Sequence, residues 1–334
     1  MSFPYIVADI GGTNARFALV SGFKSACRCT QEFVLEDVKA YKCSEFNRFE
    51  DVFDHYLEAL CKDVTGACVS IAGPVSDNCV SMTNLDWSFS GDKLKARYQF
   101  SFFHVINDFA ANAMSVISLG GGDLVRVQSP VVPHVENKKV NLLPRAIVGP
   151  GTGLGVASVV HTGKSWMPVP GEGGHANFAP VTNLDIELYK LIQKDISYVS
   201  LETLLCGAGL SRLYMALAEL RDERVDEQAS LPEHISAAAL SHSDMLAVEA
   251  LSIFCRVLGS AAGNIALTVG ASGGVFLTGG ILPRVSDFLL QSDFSHAFTN
   301  KGVMSHYVEA LSVDLVIHKE PALIGSAAYV ESMR

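Results

Sequence analysis

The sequence predicts an α/β protein with two domains. Its 334 residues are enough for two domains of ordinary size. Short apolar strands alternate with glycine-rich turns and amphipathic helices, which favours sheets with helices packed on them. One unit, an apolar strand, a glycine-rich turn containing threonine and a second apolar strand, occurs at residues 5–20 and again at 146–160. This weak internal repeat favours duplicated domains that face each other across a cleft.

The first part of the chain predicts a mixed sheet and its helices. Apolar runs predict strands at residues 5–8, 15–20, 67–72, 80–82 and 102–106, and one more that ends at 32–35. Apolar residues at helical spacing predict helices over 46–60 and 110–119. Residues 120–145 are weakly patterned and contain Gly120-Gly121-Gly122, so we expect a surface excursion near a domain boundary.

The rest of the chain predicts a second sheet and a helical region. Strands are predicted at residues 146–148, 156–160, 275–278 and 315–318, and helices over much of 184–262, at 251–267 and at 322–333. The stretch from Val257 to Pro283 has no charge and is long enough to span a bilayer. Asn264 and six glycines within 262–282 favour a core helix followed by a core strand. We expect a small domain of residues 1–118 and 318–334 and a large domain of 119–317.

Composition excludes several classes of protein. With 25 Lys and Arg against 35 Asp and Glu, and no basic run longer than two residues, neither a nucleic-acid surface nor a polybasic membrane anchor is expected. The eight cysteines show no CxxC and no zinc spacing, which is typical of reduced thiols in a cytoplasmic protein. Asp9 interrupts what would be the apolar core of a signal peptide, so no secretion signal is predicted.

Three glycine clusters predict a nucleotide site. The turn at Gly11-Gly12 lets backbone N–H groups approach an anion, Thr13 adds a hydroxyl donor, and Asp9 suits a hydrated Mg²⁺ beside phosphates. Taken alone, a Gly-Gly turn such as this is more often an ordinary hairpin. The string at 149–155 resembles a dinucleotide fingerprint, but residues 156–160 continue as a strand and not as a helix, so an anion-binding hairpin is favoured.

The third cluster completes this interpretation. Gly279 and Gly280 follow a buried strand and allow a flat ligand such as a nucleotide base to lie against the backbone. Together the clusters predict an ATP site between two domains, in which N–H groups of Gly11, Gly12, Gly151 and Gly153 hold the phosphates.

A second set of side chains suits a polyol. Asn107 and Asp108 follow a strand and precede a helix, where α/β sites form. Asp108 could instead simply cap that helix. Glu172 and His175 place an acid and an imidazole on a glycine-rich turn, and no third metal ligand lies at a suitable spacing. Glu202 opens a helix, where its charge could also simply complement the helix dipole.

These motifs resemble the bacterial-type glucokinase family, of the sugar kinase, actin and heat-shock-chaperone ATPase superfamily. The matching strings are DIGGTNARFALV (9–20), TNLDWSF (83–89), INDFAANA (106–113), GPGTGLGVA (149–157), PGEGGHANFAP (170–180), SLETLLCGAGL (200–210) and GGVFLTGGILPR (273–284). The resemblance runs in order from Asp9 to Gly325. It implies an actin-like (ribonuclease H-like) fold with the active site in the interdomain cleft, and a cytoplasmic homodimer.

The resemblance implies ATP-dependent phosphorylation of glucose at its 6-hydroxyl, the first step of glycolysis, with Mg²⁺ bound near Asp9 through water. Asp108 would be the catalytic base and would bind the sugar with four further residues: Asn107, Glu172, His175 and Glu202. The implied ATP-binding residues are Ala8, Asp9, Ile10, Gly11, Gly12, Thr13, Gly151, Thr152, Gly153, Gly279 and Gly280.

Two departures from the family pattern and several alternatives stay open. Asn177 stands where members often have Asp, and Cys206-Gly-Ala-Gly replaces a more usual Ser-Gly-Pro-Gly. The alternatives are a kinase for another hexose or an acylated amino sugar, a sugar sensor without activity, and a Rossmann dehydrogenase as the weakest. The phosphate turns would be the same in any related kinase, so only the sugar contacts discriminate the first. Retention of Asp108 with both turns argues against the second.

Overall fold

The computed structural model describes residues 3–27, 30–82, 85–131, 142–226 and 228–334. Cys29, the Thr83-Asn84 pair of one family-like string and part of the 120–145 excursion lie outside these ranges. The chain forms two compact units. The first unit comprises Met1–Leu124, Ser158–Pro170 and His318–Arg334, and the second comprises Val125–Ala157 and Gly171–Ile317.

The strands of the described chain are β1 Tyr5–Ile10, β2 Asn14–Cys27, β3 Thr30–Lys42, β4 Gly66–Ile71, β5 Val75–Ser76, β6 Cys79–Ser81, β7 Ser88–Ser90, β8 Phe102–Asn107, β9 Leu124–Gln128, β10 Arg145–Pro150, β11 Leu154–His161, β12 Trp166–Gly171, β13 Val275–Leu277 and β14 Val313–Val316. The helices are α1 Phe49–Leu60, α2 Gly91–Tyr98, α3 Asp108–Ser115, α4 Asn183–Ile192, α5 Leu201–Leu204, α6 Gly207–Leu220, α7 Pro232–Leu240, α8 Met245–Val269, α9 Ser286–Gln291, α10 Phe294–Thr299, α11 Ser305–Glu309 and α12 Pro321–Ser332.

The first unit is built on the mixed sheet that the sequence predicts. Its strand order is β3-β2-β1-β4-β8, with β1 antiparallel to β2, β2 antiparallel to β3, and β1, β4 and β8 parallel. The carboxyl ends of β1 and β8 carry Asp9 and Asn107, and Asp108 follows β8 directly. Parallel strands therefore bring these side chains to the same edge of the sheet.

The second sheet has the order β12-β11-β10-β13-β14-β9. Its strand β10 is joined to β11 by a glycine turn and pairs in parallel with β13, which pairs in parallel with β14. The series β3-β2-β1-β4-β8 and β12-β11-β10-β13-β14 thus follow the same plan. The structure confirms the predicted internal repeat and extends it from a strand-turn-strand unit to five strands.

Helix α8 is the central element of the core of the second unit. It has the length and apolar composition of a membrane span, and it is the one such helix in the described ranges, but 67% of its most apolar window is buried inside the protein. Leu251, Phe254, Leu258 and Ala262 are among its fully buried residues. The predicted core helix is confirmed, with longer ends than the sequence indicated.

Several element ends differ from the sequence predictions. Strand β3 continues to Lys42 instead of ending at Leu35, because it pairs with β2 along a long hairpin. Helix α3 stops at Ser115, whose Oγ donates to the Asn112 carbonyl, instead of at Leu119. The last strand ends at Val316 and not at residue 318.

One expectation about a segment was wrong, and some elements were not predicted. Residues 124–128 belong to the excursion expected over 120–145 but form β9, the edge strand of the second sheet. Their alternating pattern, Val-Arg-Val-Gln, is a strand signal too short to stand out in the sequence. Helix α2 and strand β12 were also not predicted.

Helix α3, which begins at Asp108, is positioned by a close crossing with α12. The two helices approach at Gly325, where an added Cβ would overlap the backbone carbonyl of Ala111. Gly325 is itself fully enclosed in the core of the first unit. Because Gly325 has no side chain, α3 packs closely against α12. This contact fixes the position of α3 and of its first residue, Asp108.

We expect Gly325→Ala to lower the free energy of unfolding by about 1–3 kcal/mol or more, because the added methyl group forces two packed backbones apart. The matched control is Gly122→Ala, since Gly122 is exposed and has no neighbouring atom within 4 Å of an added Cβ. That change should stay within about 0.5 kcal/mol. Chemical denaturation of both variants measures the difference, and equal midpoints would contradict this account of the crossing.

Candidate active site

The first glycine turn joins β1 to β2, and hydrogen bonds hold its carbonyls in place. The Gly11 N–H donates to the Asn14 carbonyl at 2.9 Å, and the Cys43 N–H donates to the Thr13 carbonyl at 2.9 Å. The Cys43 thiol donates to the Gly11 carbonyl, with Sγ 3.5 Å from the oxygen. In the described chain the N–H groups of Gly12 and Thr13 make no hydrogen bond, so they are available to an anion.

Cys43 is buried, and this burial raises the pKa of its thiol. The thiol therefore stays protonated at neutral pH and remains a donor to the turn. Sequence reasoning did not select Cys43, because its contact with the turn depends on how far β3 extends.

Asp9 lies beside this turn at the end of β1. Its Oδ1 accepts a hydrogen bond from the Ser70 hydroxyl at 3.3 Å, and its Oδ2 lies 3.5 Å from the Arg16 guanidinium. The same Arg16 is 3.5 Å from the carboxylate of Glu320. Burial raises the pKa of Asp9, and Arg16 and the Ser70 hydroxyl lower it only in part. Asp9 thus lies next to the first glycine turn, and its partners Ser70 and Arg16 were not predicted from the sequence.

The second glycine turn, between β10 and β11, has the same plan. The Gly151 N–H donates to the Gly153 carbonyl at 2.8 Å, and the Gly207 N–H donates to the Gly151 carbonyl at 3.0 Å. The N–H groups of Thr152 and Gly153 make no hydrogen bond within the ranges that the structure describes. Both turns thus leave two successive N–H groups available.

This pattern corrects one expectation. The sequence analysis assigned phosphate donors to Gly11, Gly12, Gly151 and Gly153, but the first glycine of each turn uses its N–H inside the turn. In the described chain the N–H groups of Thr13 and Thr152 make no hydrogen bond and are available instead. Which N–H groups of a turn bond internally depends on the direction of its backbone, and the amino-acid composition of the turn does not reveal that direction.

The third glycine cluster packs on the strand that enters the second turn. Gly279 has a φ of +91°, and an added Cβ would overlap the Pro150 carbonyl, so both conformation and space require glycine. The Thr278 N–H donates to the Val148 carbonyl at 2.9 Å. Gly280 borders open space, which leaves a bare backbone surface beside the turn.

Asn107 and Asp108 have different local roles. The Asn107 Oδ1 accepts from the N–H groups of Phe109 at 2.9 Å and Ala110 at 3.2 Å, and its Nδ2 donates to the Gly73 carbonyl at 3.1 Å. Asn107 is therefore the N-cap of α3. The alternative that Asp108 simply caps this helix is wrong.

Asp108 is the first residue of α3, and the pKa of its carboxyl group is raised. The pKa of Asp108 is raised from 3.8 to about 6: burial is the main cause, a hydrogen bond from the Phe109 N–H opposes it, and the negative charge of Asp9 adds to it. A carboxylate whose pKa is close to neutral is suited to accept a proton during a reaction.

Glu172, His175 and Glu202 come together within the second unit. The His175 Nε2 lies 3.9 Å from the Glu172 Oε2 and 3.9 Å from the Glu202 Oε1. Their side chains are 89%, 60% and 32% exposed, respectively, so Glu202 is the most enclosed of the three. Two carboxylates and an imidazole at this spacing can accept from and donate to the hydroxyls of one small polyol.

Backbone pairing between two segments explains this convergence. The Leu201 N–H donates to the Ala176 carbonyl at 2.8 Å, and the Phe178 N–H donates to the Val199 carbonyl at 3.0 Å. The segment after His175 therefore runs beside the segment that leads into α5 and Glu202. The Tyr198 hydroxyl adds a bond of 2.9 Å to the His175 carbonyl.

The two departures from the family pattern preserve local structure. Asn177 forms a backbone bridge with Ser200, which any residue can do. Cys206 is the N-cap of α6, where its Sγ accepts from the Gly209 N–H at 3.3 Å, as a serine hydroxyl would.

No set of three or more His, Cys, Asp and Glu side chains in the described chain is arranged to hold a metal ion. The only metal role that the sequence suggested, at Asp9 through water, needs no such set, because Mg²⁺ is usually bound by one or two carboxylates together with substrate phosphates.

Among the partners that the sequence analysis did not name, Arg16 had a usable signal. In the antiparallel register of β1 and β2, Asp9 pairs directly with Arg16 across the glycine turn. A hairpin centred on that turn therefore predicts the pair. Glu320 and Ser70 carry no comparable local signal, because each reaches Asp9 or Arg16 only through the tertiary fold.

Comparisons with known proteins identify the family of the chain. The family model named glucokinase matches residues 6–333. The glucokinase of Saccharophagus degradans is 44% identical over 332 residues, covering 99% of each chain. The crystal structure of a glucokinase from an Antarctic psychrotroph matches with a TM-score of 0.89 and 37% identity over 99% of each chain.

A ROK-family glucokinase from Streptomyces griseus, solved with glucose and AMPPNP, matches with a TM-score of 0.61 over 98% of this chain and 99% of the other. At 20% identity this match supports the fold alone. The mixed α/β fold is the actin-like ATPase fold that these kinases share. By its sequence and fold, the chain belongs to the glucokinase family.

Proposed function

We propose that this chain transfers the γ-phosphoryl group of ATP to the 6-hydroxyl of glucose, giving glucose 6-phosphate and ADP, the first step of glycolysis. The observation that carries the proposal is Asp108, a carboxylate with a pKa of about 6 that begins a helix at the end of a strand. The names of the full-length relatives support the substrate, and the ligands of the Streptomyces griseus structure, glucose and AMPPNP, support the sugar and an adenine nucleotide.

Phosphoryl transfer requires mainly that the reactants are positioned and their charge is neutralised. In this proposal the available N–H groups of Gly12, Thr13, Thr152 and Gly153 hold the phosphates, and the backbone at Gly279 and Gly280 lies against the base. Asp108 accepts the proton of the 6-hydroxyl as it attacks the γ-phosphorus. Asn107, Glu172, His175 and Glu202 bind the remaining hydroxyls and orient the sugar.

We further propose that the chain works as a small domain of residues 1–118 and 318–334 and a large domain of 119–317, a division that differs from the two compact units at residues 119–124 and 158–170. The reaction would then take place in the cleft between them. Closing that cleft would exclude water, which otherwise competes with the sugar as phosphoryl acceptor. A homodimer in the cytoplasm belongs to the same proposal.

Magnesium is the metal implied by this reaction, and the residues present fit it. Asp9 supplies carboxylate oxygens, which Mg²⁺ prefers, and burial raises the pKa of both Asp9 and Asp108, so a nearby cation would stabilise their ionised forms. Asp9 would hold the hydrated ion beside the first turn. When bound, Mg²⁺ neutralises charge on the phosphates.

We expect Asp108→Asn to lower kcat by about 10²–10⁴, the usual contribution of a general base, with only a modest change in glucose affinity. Asn is nearly isosteric, and the helix keeps its N-cap because Asn107 supplies it. A coupled assay for glucose 6-phosphate measures the rate. A variant that keeps more than roughly a tenth of kcat would leave the chain without its proposed base and favour the sensor or another substrate.

The pH dependence should report the same carboxyl group. Because burial raises the pKa of Asp108 to about 6, the proton-accepting form is lost as the pH falls through that value. We expect kcat/KM to decline about tenfold per pH unit below about 6. A flat profile between pH 5 and pH 8 would contradict the assignment, and the residual activity of Asp108→Asn should lack this decline.

Glu172→Ala should weaken glucose binding severely while leaving ATP binding nearly unchanged. Removing a carboxylate that bonds a sugar hydroxyl leaves that hydroxyl unpaired, and sites built on such bonds discriminate by up to about 10⁴. Calorimetry with glucose, mannose, an acylated amino sugar and ATP measures the change. Unchanged glucose affinity would remove Glu172 from the sugar site, and preference for another sugar would identify a different kinase.

A further inference from the structure

One carboxylate in the second unit touches both groups of predicted site residues. The Oε2 of Glu202 accepts a hydrogen bond of 2.7 Å from the N–H of Leu154, the residue that directly follows the second glycine turn. The Oε1 of the same side chain lies 3.9 Å from the His175 Nε2. Glu202 is therefore bonded to the phosphate turn with one oxygen and faces the sugar cluster with the other.

The glycines around Glu202 show that these segments are in direct contact. A Cβ on Gly153 would lie 2.5 Å from the Glu202 Oε2, and a Cβ on Gly174 would overlap the carbonyl of Leu154. No side chain stands between the turn, the His175 segment and the first turn of α5 at these points. Because packed segments do not deform independently, a displacement of one must move the others.

We propose that Glu202 is a positioning residue for the second phosphate turn in addition to its role toward the sugar, so that hexose and nucleotide bind cooperatively through it. A hexose hydroxyl bonded to Oε1 restricts the carboxylate and keeps Oε2 on the Leu154 N–H. That bond holds the adjacent N–H groups of Thr152 and Gly153 toward the phosphates. Binding of the first ligand then meets most of the entropic cost of ordering the second glycine turn, so the second ligand binds more tightly.

This inference rests on the proposed function, because it assigns the two ligands to the sites described above. It goes beyond that function by naming the side chain through which one ligand affects the other. The coupling is contained in the second unit, since Glu202, Leu154 and His175 all belong to it.

Glu172 provides a matched control within the same cluster. It lies at the same 3.9 Å distance from His175, but its side chain is 89% exposed, and no hydrogen bond joins it to the glycine turn in the described ranges. A change at Glu172 should therefore alter sugar affinity without altering the coupling between the ligands.

The experiment measures the Kd of AMPPNP with Mg²⁺ by calorimetry, with and without saturating glucose. We expect glucose to tighten AMPPNP binding at least about fivefold in the unaltered protein, and AMPPNP to tighten glucose binding by the same factor. In Glu202→Asp the carboxylate is one methylene too short for Leu154, and the factor should fall below about two. Glu202→Gln keeps the length and an acceptor oxygen and should keep the factor, as should Glu172→Asp.

An unchanged factor in Glu202→Asp would overturn the inference, as would its loss in Glu202→Gln or an equal loss in Glu172→Asp. If Glu202→Asp does not fold, by circular dichroism, the comparison of Glu202→Gln with Glu172→Asp still decides, since both must keep the factor. Failure of the unaltered protein to form glucose 6-phosphate would reject the proposed function instead. Active protein with no coupling would reject only this inference.

Discussion

A backbone N–H group can bind a phosphate only if nothing within the protein already uses it, and both glycine turns are built around this constraint. In each turn the first glycine bonds internally, and its carbonyl is held by a donor from elsewhere in the same unit: the Cys43 thiol for the first turn and the Gly207 N–H for the second. Two successive N–H groups stay available as a result. The duplicated strand plan repeats this arrangement once in each unit.

The remaining site residues are positioned by their attachment to these turns. Asp9 is part of the strand that enters the first turn, and Asp108 lies at the same sheet edge because β1, β4 and β8 are parallel. On the second unit, Glu202 bonds the residue that leaves the turn, and a short backbone pairing brings His175 beside it. In the function we propose, the residues that face the sugar and those that face the phosphates are therefore held by the same strands and turns.

The sequence was sufficient where the information is local. The glycine turns, the positions of most strands and the Asn107-Asp108 pair between a strand and a helix were placed correctly, because turn residues and apolar periodicity act over a few positions. Contacts between distant segments were not predicted: the Cys43 thiol under Gly11 depends on the extent of β3, and the bond from Leu154 to Glu202 depends on how α5 packs. The role of Asn107 as the N-cap of α3 was not predicted either, because it depends on the backbone conformation at the residue where the helix begins.

The half-buried carboxyl group of Asp108 has a thermodynamic consequence for the whole first unit. Its pKa is higher in the folded protein than in an unfolded chain, so the folded state binds this proton more tightly. Stability from this group is fully present below about pH 4 and is lost as the pH rises through about 6. At neutral pH the ionised group thus lowers the free energy of unfolding by up to about 3 kcal/mol. At neutral pH the folded protein is therefore less stable with Asp108 ionised than it would be with Asp108 protonated.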